Sequence, residues 1–134
     1  MIIRNYQNVG KLKKIIIIFY DFLLLFSVLY FATIPILFFT DGNAVIDNIF
    51  YKIYILLIII LYYSWFWVNH QQTLGMKAWK VFIISDINNT NITYKQALIR
   101  LLFSILGGHI LWLVNNKSLQ DILSKTQLLQ KNLL

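Results

Sequence analysis

Two long apolar runs dominate the first half of the chain. Residues 15–39 are interrupted only by Asp21 and a few hydroxyl side chains, and residues 49–68 only by Lys52 near the start. As helices they would measure about 38 Å and about 30 Å, enough to cross a hydrocarbon core of about 30 Å. The first run is too long for a cleaved signal peptide, whose apolar region has about 7–15 residues. The pattern predicts two transmembrane helices, the first an uncleaved anchor.

A third apolar segment covers residues 96–114 and contains Arg100, the pair Gly107-Gly108 and His109. Hydropathy favours a straight crossing, which would carry the lysines that follow to the far side. The charge distribution favours a re-entrant helix that turns back at the glycines and keeps both flanks on one side. The sequence leaves both paths open. Thr93 to Gln96 is typical of a capping box and predicts where this helix begins.

The segment between the second and third helices has a different pattern. Val81 to Ile84 is β-branched and aromatic, Asn88-Asn89 is a turn signal, and Ile92-Thr93 forms a candidate return strand. Gly75 is interpreted as permitting a turn. The predicted fold is an all-α membrane protein with a short β-hairpin-like cytoplasmic segment, forming a single domain over residues 1–134.

Composition supports the membrane assignment. Hydrophobic residues make up 59% of the chain and charged residues 13%, and a soluble domain of this size has too little interior for so much apolar side chain. The net charge of +7 comes from cations that flank the apolar runs, which fits anionic lipid better than nucleic acid. By the positive-inside rule, the N-terminus and residues 69–95 are predicted to be cytoplasmic.

Asp21 is the residue most out of place, because a carboxylate at a helix centre costs about 2.5–3.5 kcal/mol on insertion scales. The surrounding apolar residues outweigh this cost, so the helix still inserts, with Asp21 turned toward protein or water. One interpretation is a cation or proton site, and the other is a structural Asp–Arg bond that locks helices together. Arg100, at a similar predicted depth, is the expected partner, and an interfacial anchor is the alternative interpretation of this residue.

Three further polar residues complete the set of candidates. Lys14 shares a helix face with Asp21 but lies about 10 Å away along the axis. His109 could relay a proton, but a hydrogen-bonded or interfacial histidine is the commoner case. Asp121 follows Ser118 in an S-x-x-D pattern that also fits a simple helix cap. With no cysteine and two histidines, no metal site or cofactor is expected.

Several ordered motifs resemble the RDD family of bacterial membrane proteins. Gln72 to Lys77 is similar to the family's "GQTLGK" signature, residues 97–100 to its "AL-x-R" element, and residues 119–126 to its closing motif. The resemblance implies that Asp21 and Asp121 are the two aspartates of the family name. The arginine expected at the start of the first helix is replaced by Lys13 or Lys14, which keep the charge but lose the bidentate fork.

The resemblance implies a multi-pass protein of the bacterial inner membrane, for which ion or solute transport has been proposed. We therefore expect cation, proton or small-solute transport involving Asp21. The alternative is a structural or assembly subunit with no transport activity of its own. Three short helices make a thin wall around a pathway, so we expect a homo-oligomer or another membrane subunit as a partner besides the lipid bilayer. No enzyme motif is present, and an enzyme is not expected.

Overall fold

The computed structural model describes residues 6–43, 45, 47–87, 90–108 and 117–131. Its elements are, in chain order, β1 (Tyr6–Asn8), α1 (Lys11–Phe39), α2 (Ile49–His70), α3 (Leu74–Ala78), β2 (Val81–Ser85), α4 (Tyr94–Ile105), α5 (Leu119–Leu123) and β3 (Thr126–Lys131). The described chain is mostly helical.

Helices α1 and α2 are long and apolar enough to cross a membrane. They have 29 and 22 residues, and almost none of the residues in their most hydrophobic stretches is buried inside the protein. Phe38 and Phe50, for example, are 82% and 77% exposed. A core helix of a soluble protein would bury such side chains, so these surfaces require an apolar surrounding medium. The two predicted spans are present, and each helix extends slightly beyond its predicted run.

The two long helices are joined by hydrogen bonds near the connection between them. The Thr33 and Tyr51 hydroxyls lie 3.0 Å apart, and the Tyr54 hydroxyl donates to the Ala32 carbonyl over 3.1 Å. The Asn48 side chain accepts from the Phe50 N–H at 2.9 Å, which caps the start of α2. These polar contacts hold the two helices together where apolar packing alone gives little specificity.

The opposite end of α1 and α2 carries a three-stranded antiparallel sheet in the order β1-β3-β2. Together with α3 and α5, these strands form what we call the sheet layer. Strand β2 pairs with β3, with Ile83 opposite Leu128, and not with residues 92–93. The hairpin expected between the second and third helices is therefore not confirmed. The prediction considered only nearby sequence, whereas the partner strand lies beyond the third apolar segment.

Helix α4 begins as predicted and ends early. The Thr93 N–H donates to Gln96 Oε1 at 3.0 Å, and the Thr93 hydroxyl accepts from the Gln96 N–H, so the capping box is formed. The helix ends at Ile105, and Gly107 has a φ of +86°, which glycine adopts without strain. Residues 109–116, including His109, lie outside the described residues.

The sheet bears on the path of the third apolar segment. Strands β2 and β3 flank that segment in sequence and lie side by side in the sheet. A single crossing by the segment would place the two strands on opposite sides of the bilayer. Any path proposed for the segment must be compatible with this pairing.

The hydrophobic core lies where the sheet layer meets the ends of the helices. Val81, Ile83, Ile92 and Ala97 are 2% exposed or less, and Trp67 from α2 packs with them. The Lys13 ammonium donates to Gln130 Oε1 at 2.9 Å, linking the start of α1 to β3. The core thus joins the membrane helices to the sheet layer.

The strand pairing predicts a specific cross-link. Gln7 and Gln130 are register partners in β1 and β3, at a Cα spacing of about 4.5–5.5 Å that suits a disulfide. Because the natural chain has no cysteine, the pair Gln7→Cys with Gln130→Cys should form a single disulfide in oxidised membranes. We expect both thiols to resist a maleimide reagent until a reductant is added.

The matched control pairs Gln7→Cys with Asn43→Cys, which lies beyond the other end of α1. These two thiols should remain reactive toward the reagent. Free thiols at positions 7 and 130 under the same oxidising conditions would show that the sheet is not formed in the membrane.

Candidate functional site

Asp21 lies on α1 at the contact with the start of α3. It is 5% exposed, which agrees with the expectation that it turns away from lipid. Its Oδ2 accepts from the Thr73 hydroxyl at 2.5 Å and its Oδ1 from the Gly75 N–H at 2.9 Å. Thr73 Oγ1 also accepts from the Met76 N–H at 3.2 Å, so this side chain caps α3 while donating to Asp21. The carboxylate therefore fixes α3 to a membrane-spanning helix.

Gly75 is needed at this contact because the two elements approach so closely. A Cβ atom built at position 75 would lie 2.6 Å from Asp21 Oδ1 and 3.1 Å from the Ile17 carbonyl oxygen. Gly75 is not among the described residues with positive φ. The interpretation of Gly75 as a turn glycine is therefore wrong, and its role is to let α3 approach α1.

Arg100 and Asp121 form a buried ion pair between α4 and α5, each residue 2% exposed. The same Arg100 nitrogen donates to the Thr126 hydroxyl on β3 at 2.9 Å. The guanidinium carbon lies 5.4 Å from the centre of the Trp67 ring on α2, within cation–π range. The expected pairing of Arg100 with Asp21 is thus replaced by a pairing with Asp121.

Asp121 fulfils the capping role predicted for it and also pairs with Arg100, which was not predicted. Its Oδ2 accepts from the Ser118 hydroxyl at 2.7 Å and from the Ser118 N–H at 3.2 Å, which caps α5. Its Oδ1 binds Arg100. Burial acts to raise the pKa of Asp121, but the charge of Arg100 and the Ser118 hydrogen bonds outweigh it and hold the pKa below its usual value. Asp121 is therefore a charged partner within the fold.

A cavity of about 510 Å³ lies between α1, α2 and α4, and three of the five candidate residues line it. Lys14, Asp21 and Arg100 line it, together with apolar side chains from the three helices. Lys14 is 6% exposed and lies close enough to Asp121 and Arg100 to interact electrostatically with both. The arrangement places one carboxylate beside a space that could hold an ion, water or a small solute. No group of three metal-ligating side chains occurs among the described residues.

Two residues of the site were missed by sequence reasoning. Thr73 was noticed only as part of a motif, although a threonine directly before a short helix is itself an N-cap signal. Thr126 was likewise noticed only as part of the closing motif, and its contact with Arg100 could not be predicted because it joins residues 26 positions apart. His109 lies outside the described residues. The structure thus places Asp21, Lys14 and Arg100 around one cavity. Asp121 does not line this cavity but pairs with Arg100.

Substitution of Gly75 tests the close approach. Gly75→Ala would drive a methyl group into the Asp21 carboxylate, and we expect a loss of about 1–3 kcal/mol in the free energy of unfolding in detergent. Gly10→Ala is the control, because a Cβ at position 10 meets nothing within 4 Å and its φ is −62°. Equal stability of the two variants would contradict the close contact between Gly75 and Asp21.

The buried ion pair predicts a defined pH dependence. Because the folded-state pKa of Asp121 is lowered, its contribution is complete above the ordinary value of 3.8 and is lost as the pH falls below it. Asp121→Asn should cost about 3–5 kcal/mol at neutral pH and remove that component of the acid dependence. Urea titrations at several pH values measure both effects.

Asp86→Asn is the matched control for this titration. Asp86 pairs with Lys117 at 3.5 Å on the surface, and such a pair contributes about 0–1 kcal/mol. A comparable loss in the free energy of unfolding in both variants would show that the buried Arg100–Asp121 pair contributes no more to stability than the surface pair.

Comparison with known proteins identifies the family of this chain. A match to the RDD family covers residues 12–123 and so includes Asp21, Thr73, Gly75, Arg100 and Asp121. Neither the curated proteins nor the solved structures contain a match. The family match covers most of the chain, and it coincides with the helices that suit a membrane and the polar contacts that join them. The chain belongs to the RDD family.

Proposed function

We propose that this membrane protein transports a cation, a proton or a small solute, with Asp21 as the group that binds it. The observation that carries the proposal is that Asp21, on a membrane-spanning helix, lines the cavity between α1, α2 and α4. Ionisable side chains inside membrane proteins are costly, and they commonly mark ion or proton paths. A single carboxylate beside an otherwise mostly apolar space fits that pattern.

The hydrogen bonds of Asp21 suggest how binding would couple to conformation. Both carboxylate oxygens accept from the first turn of α3, through Thr73 and Gly75. A proton or cation on one oxygen competes with the donor already there. Loading Asp21 would therefore weaken the link between α1 and α3, and release would restore it. Such a contact has two arrangements that a bound ion can bias.

The proposed location is the bacterial inner membrane, with the N-terminus and the sheet layer in the cytoplasm. Lysines flank the sheet end of the helices at positions 11, 13, 80 and 131, whereas the connection between α1 and α2 carries Asp41 and Asp47. This asymmetry supports the orientation by the positive-inside rule. The third segment would enter and return on the cytoplasmic side.

A complete pathway would need more than this chain. Three helices enclose a cavity but make a thin wall, so we propose that transport involves a homo-oligomer or another membrane subunit. The chemistry of the described residues suits binding and release of an ion, and we propose no enzymatic reaction.

A structural role is the second candidate, and one observation favours it. The protein itself supplies a donor to each Asp21 oxygen, so the carboxylate is satisfied without any ion. Polar contacts of this kind hold membrane helices to their neighbours. In that case Asp21 would hold the sheet layer to α1 in an assembly subunit.

Reconstitution in vesicles separates the two candidates. We expect vesicles that contain the wild type to show flux driven by a proton or sodium gradient. Asp21→Asn removes the charge but keeps an oxygen for hydrogen bonding, and it should reduce this flux at least tenfold. Asp41→Asn, in the connection between α1 and α2, should retain the flux. Melting temperatures in detergent are measured for all three proteins. Absence of flux in the wild type, with a destabilised Asp21→Asn variant, would support the structural role instead.

A further inference from the structure

A second cavity, of about 370 Å³, lies beside the start of α1 and the sheet layer. Three lysines line it: Lys11 and Lys14 on α1, and Lys117 before α5. Among the described residues around it, the acids are Asp121 and Asp86, and both already have cationic partners in Arg100 and Lys117. Cations therefore outnumber acids around this cavity.

The start of α1 adds to this positive potential. Gly10 is the N-cap residue and supplies no side-chain cap, and the first turn contains no acidic residue. Gly10 and Lys11 both line the cavity, so the free N–H groups of the first turn lie next to it. The N-terminal end of a long helix attracts an anion. The cavity combines this end with the three lysines.

The charged cavity adjoins the larger apolar one. Lys14 and Leu128 line both, so the two cavities share a wall at the level where α1 emerges from the sheet layer. Beyond that wall the larger cavity runs between the membrane-spanning helices and is lined by Ile18, Leu25 and Leu56 among others. The polar part thus meets the sheet layer, and the apolar part lies at membrane depth.

We propose that the two cavities together hold one anionic phospholipid. Its phosphate would lie among Lys11, Lys14 and Lys117, and an acyl chain would occupy the apolar cavity beside α1 and α2. Basic pockets next to membrane helices suit anionic headgroups, since each nearby cation adds attraction. A membrane protein meets this ligand at high local concentration, and its shape and charge match both cavities. A free phosphate would match only the smaller one.

The site goes beyond the transport proposal and does not depend on it. Lipid binding is measured without flux, so failure of one proposal leaves the other standing. The two are connected in one respect, because Asp21 lines the cavity assigned to the acyl chain. A bound chain would exclude water there, and lipid occupancy would compete with ion access to Asp21.

Native mass spectrometry of the purified full-length chain tests the site. The protein is released from detergent after titration with phosphatidylglycerol or with phosphatidylcholine of the same acyl chains. We expect one phosphatidylglycerol to remain bound to the wild type, with much weaker retention of phosphatidylcholine. Lys14→Gln and the exposed Lys11→Gln should each weaken phosphatidylglycerol binding about fivefold, and Lys14→Arg should retain it.

The control variant is Lys52→Gln, on α2 near the end that faces away from the sheet layer. It removes the same charge and should leave lipid binding unchanged. Equal binding of the two lipids, or equal weakening by Lys52→Gln and Lys11→Gln, would overturn the proposal. Glycerol 3-phosphate and inorganic phosphate serve as competitors that lack acyl chains. Displacement of the lipid by either one at millimolar concentration would identify a phosphate site without an acyl-chain component and would also overturn it.

Discussion

The architecture depends on one carboxylate held between a membrane helix and the sheet layer. Asp21 is buried on α1, where an ionised group is costly unless it is fully hydrogen-bonded. Thr73 and Gly75 supply the donors at 2.5 and 2.9 Å. Only a residue without Cβ allows α3 to come so close. The cost of burying the acid is thus offset only when α3 is docked, which makes the position of α3 specific.

The consequences extend through the sheet layer. Helix α3 leads directly into β2, β2 pairs with β3, and β3 pairs with β1, which returns to the start of α1. Fixing α3 on α1 therefore closes a ring of contacts around the base of the membrane helices. The Arg100–Asp121 pair closes a second junction, because it joins α4 to α5 and, through Thr126, to β3. Removal of one partner from such a buried pair leaves an uncompensated charge, which costs far more than the intact pair adds to net stability.

The two junctions border the cavities on which both functional proposals rest. Asp21 and Arg100 border the larger cavity, and Lys14 stands between it and the charged one. Polar groups that fix the fold therefore also set the chemistry of the space between the helices. A carboxylate that holds two elements together can still bind a proton or a cation. A bound proton or cation would then compete with the two hydrogen bonds that the carboxylate accepts.

The local pattern of the chain determined a large part of this result. The two spans, the inward orientation of Asp21 and the cap at Thr93 follow from hydropathy and from contacts within a few residues. The partners of Arg100 and of strand β2 did not follow. Asp121 and Thr126 are distant in sequence from Arg100, and β2 binds a strand more than 40 residues further along. Hydropathy and helix capping act over one turn or one span, so the sequence alone determined which segments suit lipid and where helices start. Only the tertiary structure decided which distant charges meet, because that depends on how α4, α5 and the strands β2 and β3 pack together.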